Sequence, residues 1–234
     1  MPQWEPLSLL ERRILGVLVE KQKTAKTADT YPLSLNSLTT GCNQKSNRDP
    51  ILDLTDDEVE EGLSGLQKRG LAIRLTGSRV DRFKHELYEK WTPHGAQMSV
   101  LAEMLLRGPQ TKGELRGRAS RMAAIETLED LEEVLTPLVE RGLAVYLTDP
   151  DRRGAVVSHG FHPADELARL KSHHAGMALQ EASIPRTTAV PSAGSNVGDP
   201  QVKLAMDEIG KLKSAVAVLE AQVAELRTQL GLEA

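Results

Sequence analysis

Two stretches of this chain are near copies of each other, and that duplication limits its possible folds more than any other feature. Glu60-Glu61-Gly62-Leu63-Ser64-Gly65-Leu66-Gln67-Lys68-Arg69-Gly70-Leu71-Ala72 is followed by Glu132-Glu133-Val134-Leu135-Thr136-Pro137-Leu138-Val139-Glu140-Arg141-Gly142-Leu143-Ala144. In both, apolar residues recur at helical spacing, then comes Arg-Gly, then a β-rich run. That order describes a helix closed by a glycine just past its end and leading straight into a strand. The chain is therefore read as one small unit built twice.

The segments around each copy extend the unit. Leu7, Leu10, Ile14, Val17 and Leu18 line one face of a first helix, with Glu11, Arg12, Arg13, Glu20 and Lys21 mostly elsewhere and a Ser8/Glu11 capping box at its start. Leu33 to Leu38 predicts a short second helix that Gly41 would end. The run Asn43-Gln44-Lys45-Ser46-Asn47-Arg48-Asp49-Pro50 reads as a loop too polar to pack. Thr55 and Glu58 cap the third helix, Leu71 to Leu75 forms a strand, and the alternation of Phe83, His85, Leu87 and Trp91 with charged residues predicts a returning strand. Three helices and a hairpin describe a winged helix.

The second unit follows the same plan. Met98 to Leu106 is its first helix and Thr111 to Ala119 its second. The third begins at Thr127 and Asp130, runs to Arg141 and should bend at Pro137, and a hairpin spans Leu143 to Leu147 and Ala155 to Ser158. The expected architecture is mainly α with small β-hairpins, an α+β chain. It comprises tandem winged-helix domains over 1–93 and 94–162, a weakly helical connector over 163–182, a flexible linker over 183–200 and a coiled-coil helix over 201–234. In that tail, Val202, Ala205, Ile209, Leu212, Val216, Leu219, Val223, Leu226 and Leu230 alternate by three and four residues. The mainly β-branched a positions and mainly leucine d positions favour a parallel homodimer seamed by Ile209, Leu212, Val216, Leu219, Val223, Leu226 and Leu230. A single amphipathic helix folded back on the body is the competing reading.

Composition narrows the function. Over 234 residues the formal charge is −4, so any nucleic-acid contact must come from local patches. Aromatics make up only 3%, which argues against base-stacking platforms. No apolar run approaches the roughly 20 residues of a membrane span. With one cysteine, Cys42, and no signal-like start, a cytoplasmic protein is expected.

Both third helices open with acids: Asp56, Asp57, Glu58, Glu60 and Glu61 in the first, Glu129, Asp130, Glu132 and Glu133 in the second. Carboxylates there complement the helix dipole but oppose a polyanion, so these helices are poor groove readers. Candidate phosphate or base contacts lie elsewhere. Lys112, Arg116, Arg118 and Arg121 surround the second helix of the second unit, and Arg79 and Arg82 decorate the first wing. Asn43, Gln44, Lys45, Asn47 and Arg48 concentrate amides and cations in one loop. Capping and loop satisfaction, or a solvated charged face, are the structural alternatives for all of these. No catalytic residue, metal site or cofactor is expected: Cys42 has no nearby histidine, and the adjacent His173 and His174 do not share a helical face, which leaves them, with His159 and His162, a poor ligand set.

Tyr31 to Leu38 followed by Cys42 to Pro50 closely resembles the signature of the YceH-like bacterial family of unknown function. Leu106 to Thr111, Gly113 to Arg116 and Arg118 to Met122 are similar to its second signature. The resemblance covers most of residues 7–160 and implies tandem winged helices without an assigned activity. Two functional expectations follow. One is a non-enzymatic, DNA-associated regulator that contacts phosphates of duplex DNA through the basic corner and wing. The other is a protein-interaction scaffold built on acidic winged helices.

Overall fold

A computed structural model describes residues 4–27, 30–77 and 79–183. The expected linker and coiled-coil seam, including Ile209 through Leu230, lie outside them. Eight α-helices and two three-stranded antiparallel sheets are found among the described residues, so the chain is α+β.

The first half runs α1 (Leu9–Thr24), β1 (Leu33–Ser34), α2 (Leu35–Cys42), α3 (Asp56–Lys68), β2 (Ala72–Leu75), β3 (Arg82–His85) and α4 (Leu87–Trp91). The second runs α5 (Gln97–Arg107), β4 (Gln110–Thr111), α6 (Lys112–Ala119), α7 (Leu128–Glu140), β5 (Ala144–Tyr146) and β6 (Val156–His159), and α8 (Ala164–Ser183) follows. The sheets share one strand order, β1-β3-β2 and β4-β6-β5.

Local chemistry explains the helix ends. Ser8, Thr55, Thr111 and Thr127 each accept from the amide three residues on, and Glu11, Glu58, Glu114 and Asp130 bond back to complete capping boxes. Ser34 and Thr111 also sit in the two-residue strands β1 and β4, so one residue ends a strand and caps a helix. At the far ends of α3 and α7 the duplicated Arg-Gly-Leu closes the same motif twice. Gly70 N–H donates to Gln67 and Leu71 N–H to Leu66, as Gly142 N–H does to Val139 and Leu143 N–H to Leu138. Gly70 and Gly142 have φ of 66° and 69°, the left-handed conformation this closure requires.

Four expectations are corrected. The returning strand ends at His85, and Leu87–Trp91 turns into α4 instead of continuing the alternation. Leu33 and Ser34 form a strand, so α2 starts at Leu35; Gly41 lies inside it and Asn43 is its C-cap. The Asn43 to Pro50 loop is not too polar to pack, because Arg48 is buried by pairing with groups beneath it. Finally, α1 is not amphipathic over its centre: every residue from Arg12 to Glu20 is buried, charged ones included. It packs on α2, α3 and α5. Its partner α5 is likewise buried from Met98 to Leu106, and at Gly16 the Leu106 side chain and Ala102 carbonyl fill the space a Cβ would need. Pro137 lies within α7, which continues unbroken to Glu140.

Candidate functional site

The polar loop after α2 is held in place by side chains of α1 and α5. Asn43 spans to Leu54, donating to its carbonyl and accepting from its amide, both at 2.8 Å. Arg13, buried in α1, donates to the carbonyls of Cys42 (2.9 Å) and Pro50 (2.5 Å), which brackets the loop. Burial and the neighbouring Arg48 charge lower this guanidinium's pKa to about 10. Arg48 bonds Gly41, Gln44 and its neighbour Asn47, and it grips Glu20 of α1 with two nitrogens at 3.2 and 2.5 Å. Asn47 adopts the left-handed conformation (φ 59°) and accepts from Arg107 of α5 at 3.1 Å; the Asp49 amide donates to Leu106.

The basic corner of the second half feeds the same network. Arg121 bridges Glu20 and Glu103, a wholly buried carboxylate on α5 that also lies 3.0 Å from Arg107. Burial pushes the Glu20 carboxyl up, but Arg48 and Arg121 outweigh it and hold it below its ordinary value. Two interior carboxylates and three arginines from α1, the loop, α5 and the turn after α6 thus join the two halves.

The remaining candidates are placed as follows. Arg116 donates to the Glu126 carbonyl, Arg118 to Gln110 and Glu114, and Lys112 to Glu132 and the Pro150 carbonyl. Arg82 donates to the Pro32 carbonyl. Lys45 and Arg79 are exposed. The carboxylates that open α3 and α7 mostly face solvent: Asp56, Asp57, Glu58 and Glu61 on the first, Glu129, Asp130 and Glu133 on the second.

His159 and His162, in sequence only a poor metal-ligand set with His173 and His174, instead cluster with Arg12 and Glu166. One terminal nitrogen of Arg12 lies 3.3 Å from His159 Nε2, 3.0 Å from His162 Nδ1 and 3.0 Å from Glu166, and the other is 3.2 Å from Glu166. The imidazoles stack at 3.9 Å, and His162 Nε2 meets Ser158 Oγ at 2.8 Å. The signal was the three-then-four spacing of His159, His162 and Glu166 entering α8, but Arg12 stands far off in sequence. No group of three or more metal-ligating side chains is positioned to hold a metal among the described residues. Cys42 is buried, which pushes its thiol up to about 12.

His159 has an equivalent in the first half. His85 pairs with Ala72 as His159 pairs with Ala144, and their Nδ1 atoms accept from Leu87 N–H and Phe161 N–H respectively. Burial lowers His85 to about 4; it holds His159, further depressed by His162 and Arg12, well below the ordinary value of 6.5. His162 is lowered by burial too, against an opposing pull from Glu166. As the pH falls, the unfolded chain takes up these protons before the folded one. Stability is thus expected to be whole above about pH 6.5 and to drain towards pH 4, at about 1.4 kcal/mol per pH unit for each histidine that stays neutral. Urea midpoints at pH 7, 6 and 5 check this, and His85→Gln should flatten the slope.

No helix among the described residues is long and apolar enough to cross a membrane. The family model described as "Protein of unknown function, DUF480" matches residues 7–154, a span that contains both signature segments. A UPF0502 protein of Rhodopirellula baltica is 41% identical over 207 residues, which cover 88% of this chain and 83% of that protein. One from Saccharophagus degradans is 34% identical over 232 residues, covering 96% and 99%. One from Geobacter sulfurreducens is 46% identical over 157 residues, covering 67% and 71%. With the family model over most of the chain and this degree of identity, the chain belongs to the DUF480 family, named UPF0502 in these relatives, of bacterial proteins of unknown function.

Proposed function

We propose that this protein is a non-catalytic interaction scaffold, in which two winged-helix units present acidic third helices to a basic surface on a protein partner. One observation carries the reading. The cations that would contact a phosphate backbone, Arg48, Lys112, Arg116, Arg118 and Arg121, are hydrogen-bonded within the chain, while the carboxylates opening α3 and α7 mostly face solvent. To reach DNA, Arg48 and Arg121 would have to leave enclosed carboxylates, and the acidic helices would repel the duplex. The helix, strand, helix, helix, hairpin order of each half supports the winged-helix assignment. The heptad spacing of Val202 to Leu230 supports pairing of two copies through the tail.

Titration of the full chain with duplex DNA across a salt series separates this from a DNA-associated regulator. Negligible binding is expected even at low salt. Micromolar binding with a steep salt slope, weakened in a Lys45→Ala/Arg79→Ala variant, would establish the regulator instead. Affinity capture followed by charge reversal at Asp57, Glu61, Glu129 and Glu133 should lose a partner that the wild type retains. Deleting residues 201–234 is expected to halve the solution mass measured by light scattering, and an unchanged mass would refute pairing through the tail.

A further inference from the structure

Two clefts where the halves of the chain meet differ in what they offer a partner. At the first, Trp91 stacks on Phe161 with centroids 4.4 Å apart, Trp4 meets Trp91 edge-on at 6.4 Å, and the Trp4 indole N–H donates to the Arg141 carbonyl. Trp91 and Phe161 are 3% and 1% exposed, so the rings close this junction upon themselves. The second cleft, of about 310 Å3, lies between Leu9 of α1, Pro50, Pro109 and Leu170 of α8. The cations that line it are already paired, Arg12 with Glu166 and Arg107 with Asn47 and Glu103. Its apolar edge is open: Leu9 is 39% exposed, and Pro50 is exposed too.

Ile51, next to Pro50 in the chain, extends that edge and is 61% exposed, more than any other large hydrophobic residue among those described. A single exposed aliphatic side chain is ordinary, but the duplication supplies an internal comparison. The connection between α6 and α7, residues 120–127, is shorter than the one between α2 and α3, residues 43–55. It turns its large apolar residues, Met122 and Ile125, inward. The fold thus closes without an exposed aliphatic residue at this place, and only the first copy presents one. Around Ile51, the exposed charges of residues 45–58 are Asp49, Asp53, Asp56, Asp57 and Glu58 against one cation, Lys45. The backbone amides and carbonyls of Ile51, Leu52 and Asp53 make no hydrogen bond among the described residues.

We infer that the edge formed by Leu9, Pro50 and Ile51 is the docking site for a basic peptide segment of a partner protein, one that carries aliphatic side chains among lysines or arginines. An aliphatic side chain enters the cleft against Leu9, Pro50 and Leu170, the cations meet Asp49, Asp53 and Asp57, and the segment's backbone pairs with the free groups of Ile51 to Asp53. Charge complementarity selects the basic class, since the same acids repel nucleic acid and an anionic membrane. The inference rests on the scaffold reading and adds the apolar anchor that acidic helices alone lack. Acids speed encounter, whereas a buried aliphatic contact prolongs it.

The test uses the full chain and an amidated peptide, Lys-Lys-Leu-Ile-Lys-Lys, with Lys-Lys-Ser-Ser-Lys-Lys as the equally charged control. Methyl labelling gives signals from six isoleucines, and the one lost in Ile51→Val is that of Ile51. It should shift saturably with the first peptide. By calorimetry at low salt, the control should bind about tenfold more weakly, and Ile51→Ser should weaken the first peptide about fivefold and leave the control unchanged. Ile51 is at the surface, so an unchanged circular dichroism spectrum would confirm that the variant folds. Asp53→Asn/Asp57→Asn should weaken both peptides alike, which reads the acidic face alone. The inference is overturned if the Ile51 methyl does not move at millimolar peptide, if the two peptides bind equally, or if Ile51→Ser binds the first peptide like the wild type. It is also overturned if Ile51→Ser lowers the solution mass, which would make the edge a contact between copies of this chain. Where the acid variant still weakens both peptides, only the apolar anchor fails and the scaffold reading stands; where it does not, both fail.

Discussion

Glu20→Gln is expected to lower the free energy of unfolding by about 3–5 kcal/mol, read as a fall in the urea midpoint followed by far-ultraviolet circular dichroism. The side chain of Glu20 is 3% exposed and that of Arg48 fully enclosed, so losing the carboxylate strands a guanidinium where water cannot reach it. Arg121 loses its second anchor at the same time. A glutamine keeps the shape and offers one acceptor oxygen but restores no charge. Arg121→Gln should cost less, about 1.5–3 kcal/mol, because that side chain is 28% exposed, Glu20 would keep Arg48 and the enclosed Glu103 carboxylate would keep Arg107 at 3.0 Å. The comparison separates loss of the carboxylate shared by two arginines from loss of a partly exposed arginine. If the two substitutions cost the same, the network is not organised around Glu20.

The second large effect is expected at Gly160. A Cβ there would stand 1.8 Å from the Gly142 carbonyl oxygen, a backbone atom that no rotamer change can move. Both sides are pinned, since Gly142 closes α7 and the Gly160 amide donates to Leu143 at 2.8 Å. Gly160→Ala must open this crossing and should cost at least about 3 kcal/mol, at the upper end of overpacking effects. Gly117→Ala is the contrast. It lies in α6 with nothing within 4 Å of the added carbon, so it should stabilise by about 0.5–1 kcal/mol through helix propensity alone. Thermal or urea unfolding of both variants checks the pair.

The helices with polar signals at their ends were the readable part of this chain. Ser8 with Glu11, Thr55 with Glu58 and Thr127 with Asp130 announce helix starts within four residues, and the repeated Arg-Gly-Leu announces two ends. Those interactions are local, so sequence contains both partners side by side. What stayed hidden is long-range. Arg12, Arg13 and Glu20 look like a solvated face, because the groups that allow their burial, Glu166, Pro50 and Arg121, lie far along the chain. The candidate loop shows the same limit: its amides and cations were recognised as unusual, but their partners on α1 and α5 were not visible. The His85 and His159 equivalence was missed for another reason. The hairpin turn of the second half is longer, so the copies slip out of the register that aligns α3 with α7.

The meeting of Trp4, Trp91 and Phe161 has a consequence for how unfolding is observed. The indoles sit only at this junction, so intrinsic fluorescence reports the parting of the halves, whereas circular dichroism reports helix wherever it survives. Coincident denaturation curves would mean that the halves come apart and melt as one cooperative body. If fluorescence changes first, the junction opens while each half keeps its helices, and the protein can be studied as two separately folded pieces held in register.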